Sequence, residues 1–167
     1  MVYPLSAKFT SSNSEILTIA DNTDVSTGDT DWWIACWFKR GSVAGEGLVH
    51  KSNDYTLSIA SVNQISFDVY GVGNIGTVNA THTDQWSLAI AYHSATSNLV
   101  GLSMDGGAFS TSATTGAAGD TGSSFVIGSM TAANYYNGLM GPVMIGKGYI
   151  PSGTDASYLY YGGAGRR

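Results

Sequence analysis

Along most of the chain apolar and polar residues alternate with a period of two. Trp86, Leu88, Ile90 and Tyr92 interleave with Ser87, Ala89, Ala91 and His93. Tyr55, Leu57 and Ile59 interleave with Thr56 and Ser58, and Ile65, Phe67 and Val69 with Gln64, Ser66 and Asp68. Successive side chains of an extended segment point to opposite faces, so this pattern predicts half-buried β-strands, with the small and polar face of 86–93 turned outward. Val100, Leu102 and Met104 continue the pattern up to Asp105-Gly106. An Asp-Gly pair supplies the positive φ of a tight hairpin, which predicts that Phe109 and its neighbours return beside 100–104. Further strands are predicted at 7–10, 16–19, 48–51, 77–81, 125–129 and 138–145. Turn residues separate them at 53–54, 71–76 and 116–124, and the Gly/Ala/Ser/Thr-rich stretch 110–124 reads as a long loop. Many short strands so punctuated predict a sandwich or barrel.

Two segments depart from this pattern. After Ser152, Asp155 falls in a first helical turn, Ala156, Leu159 and Tyr160 share a face, and Gly162-Gly163 stops the run. That predicts one short helix packed on the sandwich. In 32–38, Trp32, Ile34, Cys36 and Phe38 form one apolar face, while Trp33, Ala35 and Trp37 make the other face apolar too. Either a loop or the C-terminal helix covers that second face, or some of these aromatics contact a partner, since large exposed apolar patches are uncommon on monomers. Cys36, the lone cysteine, lies in this apolar run and reads as a small buried hydrophobe.

Composition narrows the partners. The 167 residues suit one domain, 1–167, large enough to bury a core without disulfides or metals. Only 11% of residues are charged, against about 25% in typical soluble domains. The surface is therefore either coated with neutral hydroxyls or partly covered by another protein. A net charge of −5, with paired basic residues only at Lys39-Arg40 and Arg166-Arg167, argues against nucleic acid, which is bound through clustered cations. The N-terminus lacks a basic segment followed by an apolar stretch, and no run approaches the ~18 apolar residues of a membrane span. These features predict a soluble protein made in the cytoplasm, with no membrane partner.

The order of the segments resembles the concanavalin A-like sandwich, most closely its laminin-G-like jelly-roll branch. Phe9-Thr-Ser-Ser-Asn-Ser-Glu-Ile-Leu17 is similar to the opening strand pair, and Trp32-Trp-Ile-Ala-Cys-Trp-Phe-Lys39 to the strand with a Trp near its end. Leu48-Val-His-Lys51 with Tyr55-Thr-Leu-Ser-Ile59 resembles the segment built around a Lys and an aromatic strand. Asp84-Gln-Trp86, Met104-Asp-Gly106, Phe125-Val-Ile-Gly-Ser129, Tyr136-Asn-Gly-Leu139 and Pro142-Val-Met-Ile145 follow in the family's order. Ala156 to Gly163 is similar to its terminal helix. The resemblance implies an antiparallel two-sheet jelly roll closed by a short helix. It does not fix function, because this architecture hosts lectins, enzymes and structural parts alike.

Catalytic chemistry finds little support. Glycosidases need paired carboxylates about 5–9.5 Å apart, whereas the two glutamates, Glu15 and Glu46, stand alone on different segments. His50, His82 and His93 lie in no nucleophile elbow, and no Cys/His cluster or phosphate-binding loop is present. The chain therefore reads as a non-enzyme without a required cofactor. Many laminin-G-like domains hold calcium at a loop edge, and the resemblance implies Asp21, Asp24, Asp84 and Asp105 as candidates. Asp29, Asp31 and Asn22 stand beside the first pair, although the spacing does not match an EF-hand and the cluster also suits a solvated acidic loop. Platforms for a glycan or protein partner are Trp32, Trp33, Trp37, Tyr70 and Tyr135, with Asn134 and Asn137 as hydroxyl partners.

Two functions follow as expectations. One is a capsid decoration or accessory surface protein of a virus (phage) particle, self-associating or bound to capsid protein and placed on the virion surface. It joins a low-charge jelly roll to the absence of an export signal, with the two-sided apolar strand as a subunit contact. The other is a lectin-like carbohydrate-binding module, with calcium as a candidate aid to binding.

Overall fold

The computed structural model describes residues 5–41, 45–62, 64–78, 84–131 and 134–161. The period-two segments become β1 (Ala7–Phe9), β2 (Leu17–Ile19), β3 (Trp32–Arg40), β4 (Glu46–Lys51), β5 (Tyr55–Ser61) and β6 (Gln64–Val69). They continue as β7 (Gly73–Val78), β8 (Trp86–Ser94), β9 (Leu99–Met104), β10 (Ser110–Ala113), β11 (Phe125–Ile127) and β12 (Gly138–Lys147), followed by helix α1 (Gly153–Tyr160). They form two six-stranded sheets, one ordered β1-β12-β3-β8-β9-β10 and the other β2-β11-β4-β5-β6-β7. Each strand pairing in them is antiparallel. This is the expected jelly-roll sandwich with a C-terminal helix.

The core lies between the sheets. Val49, Leu57, Phe67 and Ile75 stand in register across the second sheet and are all buried. Facing them from the first sheet are Ile34, Cys36, Ala89, Ala91, Val100 and Leu102. Trp32 is fully buried among Tyr55 and Phe67, its ring 4.6 Å from that of Tyr55. Burial pushes the Cys36 thiol pKa up, as expected of a packing cysteine.

The structure reverses the predicted orientation of β8. Its small residues, Ala89 and Ala91, face the inter-sheet core, where they leave room for the rings opposite. Its large residues, Leu88 and Ile90, face outward with Ala35 and Trp37 and are buried by α1. Ala156 is fully buried there, Leu159 packs beside it, and Tyr160 stacks on Trp37 with ring centroids 5.8 Å apart. The Ser152 hydroxyl accepts the Asp155 N–H while the Asp155 carboxylate accepts the Ser152 N–H, a capping box that starts α1. The second apolar face of β3 is thus covered by the chain's own helix.

Two boundaries also differ from expectation. The glycine-rich run at 71–76 is not one turn: β7 starts at Gly73, because Ile75 completes the inward row beside Phe67. Residues 79–81 of the predicted strand lie outside the described residues. β10 takes up 110–113 of the stretch read as loop, pairing with β9. The hairpin between them turns as predicted, with φ of 51° at Asp105 and 74° at Gly106. Among the described residues no helix is long and apolar enough to cross a membrane.

Candidate functional site

The row of positions next to the inward one on the second sheet faces out. Thr18, Val126, His50, Thr56, Asp68 and Asn74 stand level with one another across β2, β11, β4, β5, β6 and β7. Alternation dictates this for the inner strands: His50, Thr56, Asp68 and Asn74 each follow or precede a core residue, Val49, Leu57, Phe67 or Ile75, along the strand. A second outward row holds Ser58 and Ser66, level with Gly76. Apart from Val126 and Gly76 the floor is therefore hydroxyls, an amide, an imidazole and one carboxylate, most of them half-buried by their neighbours.

Three features define its chemistry. The His50 ring nitrogen Nδ1 lies 2.9 Å from the Thr56 hydroxyl. Burial lowers the His50 pKa and outweighs the opposing pull of Asp54, which keeps the ring neutral at neutral pH. Asp68 is two strand spacings from His50, roughly 9.5 Å, so the two do not form a dyad. Burial raises the Asp68 pKa, and among the described residues no hydrogen bond or charge offsets it. A half-buried carboxylate without a donor carries an uncompensated desolvation cost, which a ligand hydroxyl would relieve.

The ends of this floor are built differently. At the start of β4 the 129–130 backbone packs so closely on Gly47 that a Cβ there would overlap the Met130 nitrogen. Asn134 lies in the same loop, its carbonyl accepting the Gly47 N–H at 3.2 Å, and Tyr135 follows, bridged to Ser129. At the other end Tyr70, 62% exposed, follows β6 and donates its N–H to the Asp54 carbonyl.

Beneath that second end sits Lys51, at an inward position level with Phe125 and Tyr55. Its ammonium is completely buried and meets Asp54 at 2.5 Å, Asp120 at 2.8 Å and Asp21 at 3.1 Å. Burial pulls its pKa down, but hydrogen bonds to Asp120, Asp54 and Asp21 outweigh that and raise it. The same ammonium lowers the pKa of Asp120. Asp54 also accepts the Thr121 N–H at 2.9 Å. One cation therefore fastens the loops carrying Asp21 and Asp120 to the β4–β5 turn.

The residues predicted from sequence as contacts do not converge. Trp32 is in the core, Trp37 lies under Tyr160, and the Trp33 ring packs over Gly146 on the helix-covered face. Asn134 and Tyr135 sit at one end of the second sheet and Tyr70 at the other. The Asn137 carbonyl accepts the Gly41 N–H. The calcium candidates are likewise dispersed. Asp21 is held by Lys51, and the Asp24 N–H donates to the Asn22 side chain. The Asp84 N–H donates to the Arg40 carbonyl, and Asp105 accepts the Leu88 N–H at 2.8 Å. Asp29 accepts from Ala118, and Asp31 from Ser94 and Thr96. Among the described residues no cluster of three or more His, Cys, Asp or Glu is arranged to hold a metal. The floor residues were visible only as the polar half of the alternation in 55–59 and 64–69, which marks an outward face without saying what it meets.

No family model matches the sequence, and no curated protein is significantly similar to it. The fold, by contrast, recurs in solved structures. The CBM40 module of Ruminococcus gnavus IT-sialidase, solved with α2,3-sialyllactose, superposes with a TM-score of 0.66 at 12% identity, covering 92% of this chain and 96% of that one. The binding domain of Paraclostridial Mosquitocidal Protein 1 gives 0.68 at 11% identity, covering 93% and 42%. Mouse laminin α1 domains LG4-5 give 0.56 at 13% identity, covering 85% and 42%. The chain thus spans nearly all of the first and under half of the other two. These likenesses establish the fold, a jelly-roll β-sandwich of the kind seen in laminin G domains.

Proposed function

We propose that this protein is a non-catalytic carbohydrate-binding module whose ligand lies on the outer face of the second sheet. The observation that carries the reading is the level row His50, Thr56, Asp68 and Asn74, which aligns donors and acceptors for sugar hydroxyls around a carboxylate that has no hydrogen-bond partner among the described residues. Tyr70 at the rim supplies an exposed ring for a pyranose face. Fold likeness to a module solved with an oligosaccharide supports the same reading. Asp68 is the one carboxylate facing out from these strands, since Glu46 is level with the buried Ile59, and the floor so lacks the carboxylate pair of a glycosidase.

Assembly on a virus particle draws less support. Its structural motive was the two-sided apolar strand, and α1 fills that face. Titration of oligosaccharides into 15N-labelled protein tests the proposal. The expected result is saturable amide shifts confined to β4, β5, β6 and the rim at Tyr70. Shifts confined to the helix-covered sheet would refute the placement, and no response to any glycan would refute the function.

A further inference from the structure

We infer that the ligand of this face is a neutral glycan, gripped through hydroxyls that donate to Asp68, and that sialylated and other anionic sugars are excluded. The inference rests on the glycan-binding reading above and adds the chemical class of the sugar.

Charge placement carries it. The six strands of the second sheet contain one Lys or Arg, Lys51, and it points into the core, where three carboxylates already surround it. Their outward positions hold one carboxylate, Asp68, and the nearby imidazole of His50 is uncharged at neutral pH. The face so has a net charge of −1. An anionic sugar is ordinarily held by a guanidinium or ammonium that donates to its carboxylate. On this floor it would meet a carboxylate, with the net charge of −5 on the whole chain adding repulsion at longer range.

A neutral sugar meets the opposite situation. An ionised carboxylate only accepts, and its two oxygens match two adjacent hydroxyls of a pyranose. Asp68 is flanked in its row by Thr56 and Asn74, whose hydroxyl and amide can serve the neighbouring sugar oxygens. Discrimination thus comes from an attractive contact for one class and a repulsive one for the other.

The experiment is a glycan array printed with neutral oligosaccharides and their sialylated counterparts, read with the wild-type chain and with Asp68→Asn. The expected result is binding to neutral members, with the matched sialylated members at least tenfold weaker. The variant, near-isosteric and checked by its melting temperature, should lose about tenfold in affinity for the neutral sugars. Equal or tighter binding of sialylated members would overturn the inference while leaving glycan binding intact. Unchanged neutral affinity in Asp68→Asn would also overturn it, and failure to bind any member would overturn both readings.

Discussion

Replacing Lys51 with methionine tests the idea that one buried cation holds three segments together. Methionine matches the apolar stem of the side chain, at a position level with Tyr55, and removes the ammonium. Asp54, at 1% side-chain exposure, is then a buried carboxylate that has lost its cation, while Asp21 and Asp120 at 31% and 38% retain contact with water. Breaking a buried ion pair by removing one partner costs about 3–5 kcal/mol. Solvent screens the two outer carboxylates, so the lower end, about 3 kcal/mol, is the expectation. For a chain of this size that corresponds to a melting point lower by about 6–12 °C. The pH dependence separates charge from shape. In the wild type the Asp120 pKa lies below its ordinary 3.8, so its contribution is complete above about pH 4 and is lost as pH falls through the folded value. In Lys51→Met the carboxylates repel one another, and protonating them relieves the strain. The stability gap to wild type, measured by urea denaturation, should therefore narrow from pH 7 to pH 3.5. A loss below 1 kcal/mol at pH 7, or a gap independent of pH, would refute the reasoning.

Three further outcomes follow from the same structure. Gly101→Val should destabilise the first sheet by about 1–3 kcal/mol, the usual cost of overpacking, because a Cβ at Gly101 overlaps the Tyr92 ring; an unchanged urea midpoint would contradict this. Ser152→Ala should weaken the docking of α1 by about 1 kcal/mol, read as a shift in tryptophan fluorescence as Tyr160 leaves Trp37. Hydrogen bonds from Ser152 and Tyr149 hold the Asp155 carboxyl down at about 2, so that capping contribution is complete above about pH 4 and fades towards pH 2 in an acid titration of the same signal. Adding EDTA to the wild-type chain should leave its melting temperature unchanged, since the Lys51 ammonium fills the point where Asp21, Asp54 and Asp120 converge; a clear drop would show a metal in the fold.

Much of the architecture was legible because alternation along a strand is a local property. Leu57, Ile59, Ile65 and Phe67 face the core as their spacing requires, and the Asp105-Gly106 turn and the Ser152 cap follow from the conformations those residues favour. The reversed β8 was not legible. Alternation sorts side chains into two faces but does not say which face meets the other sheet, and α1 makes both faces of β8 interior. The Trp-rich strand stayed open for the same reason: its second apolar face suits either the C-terminal helix or a partner, and the helix that covers it begins 113 positions beyond the strand's end, out of reach of any local pattern.

The functional face divides in the same way. By itself, the sequence determined that Thr56, Ser58, Gln64, Ser66 and Asp68 are the polar halves of two strands, and that charge is scarce. Only the tertiary structure decided that His50, Thr56, Asp68 and Asn74 stand level in one row, and that Lys51, 69 positions from Asp120, closes on it at 2.8 Å. Strand register and loop contacts join residues far apart in the chain, and their free energy depends on packing between sheets, which no local pattern encodes.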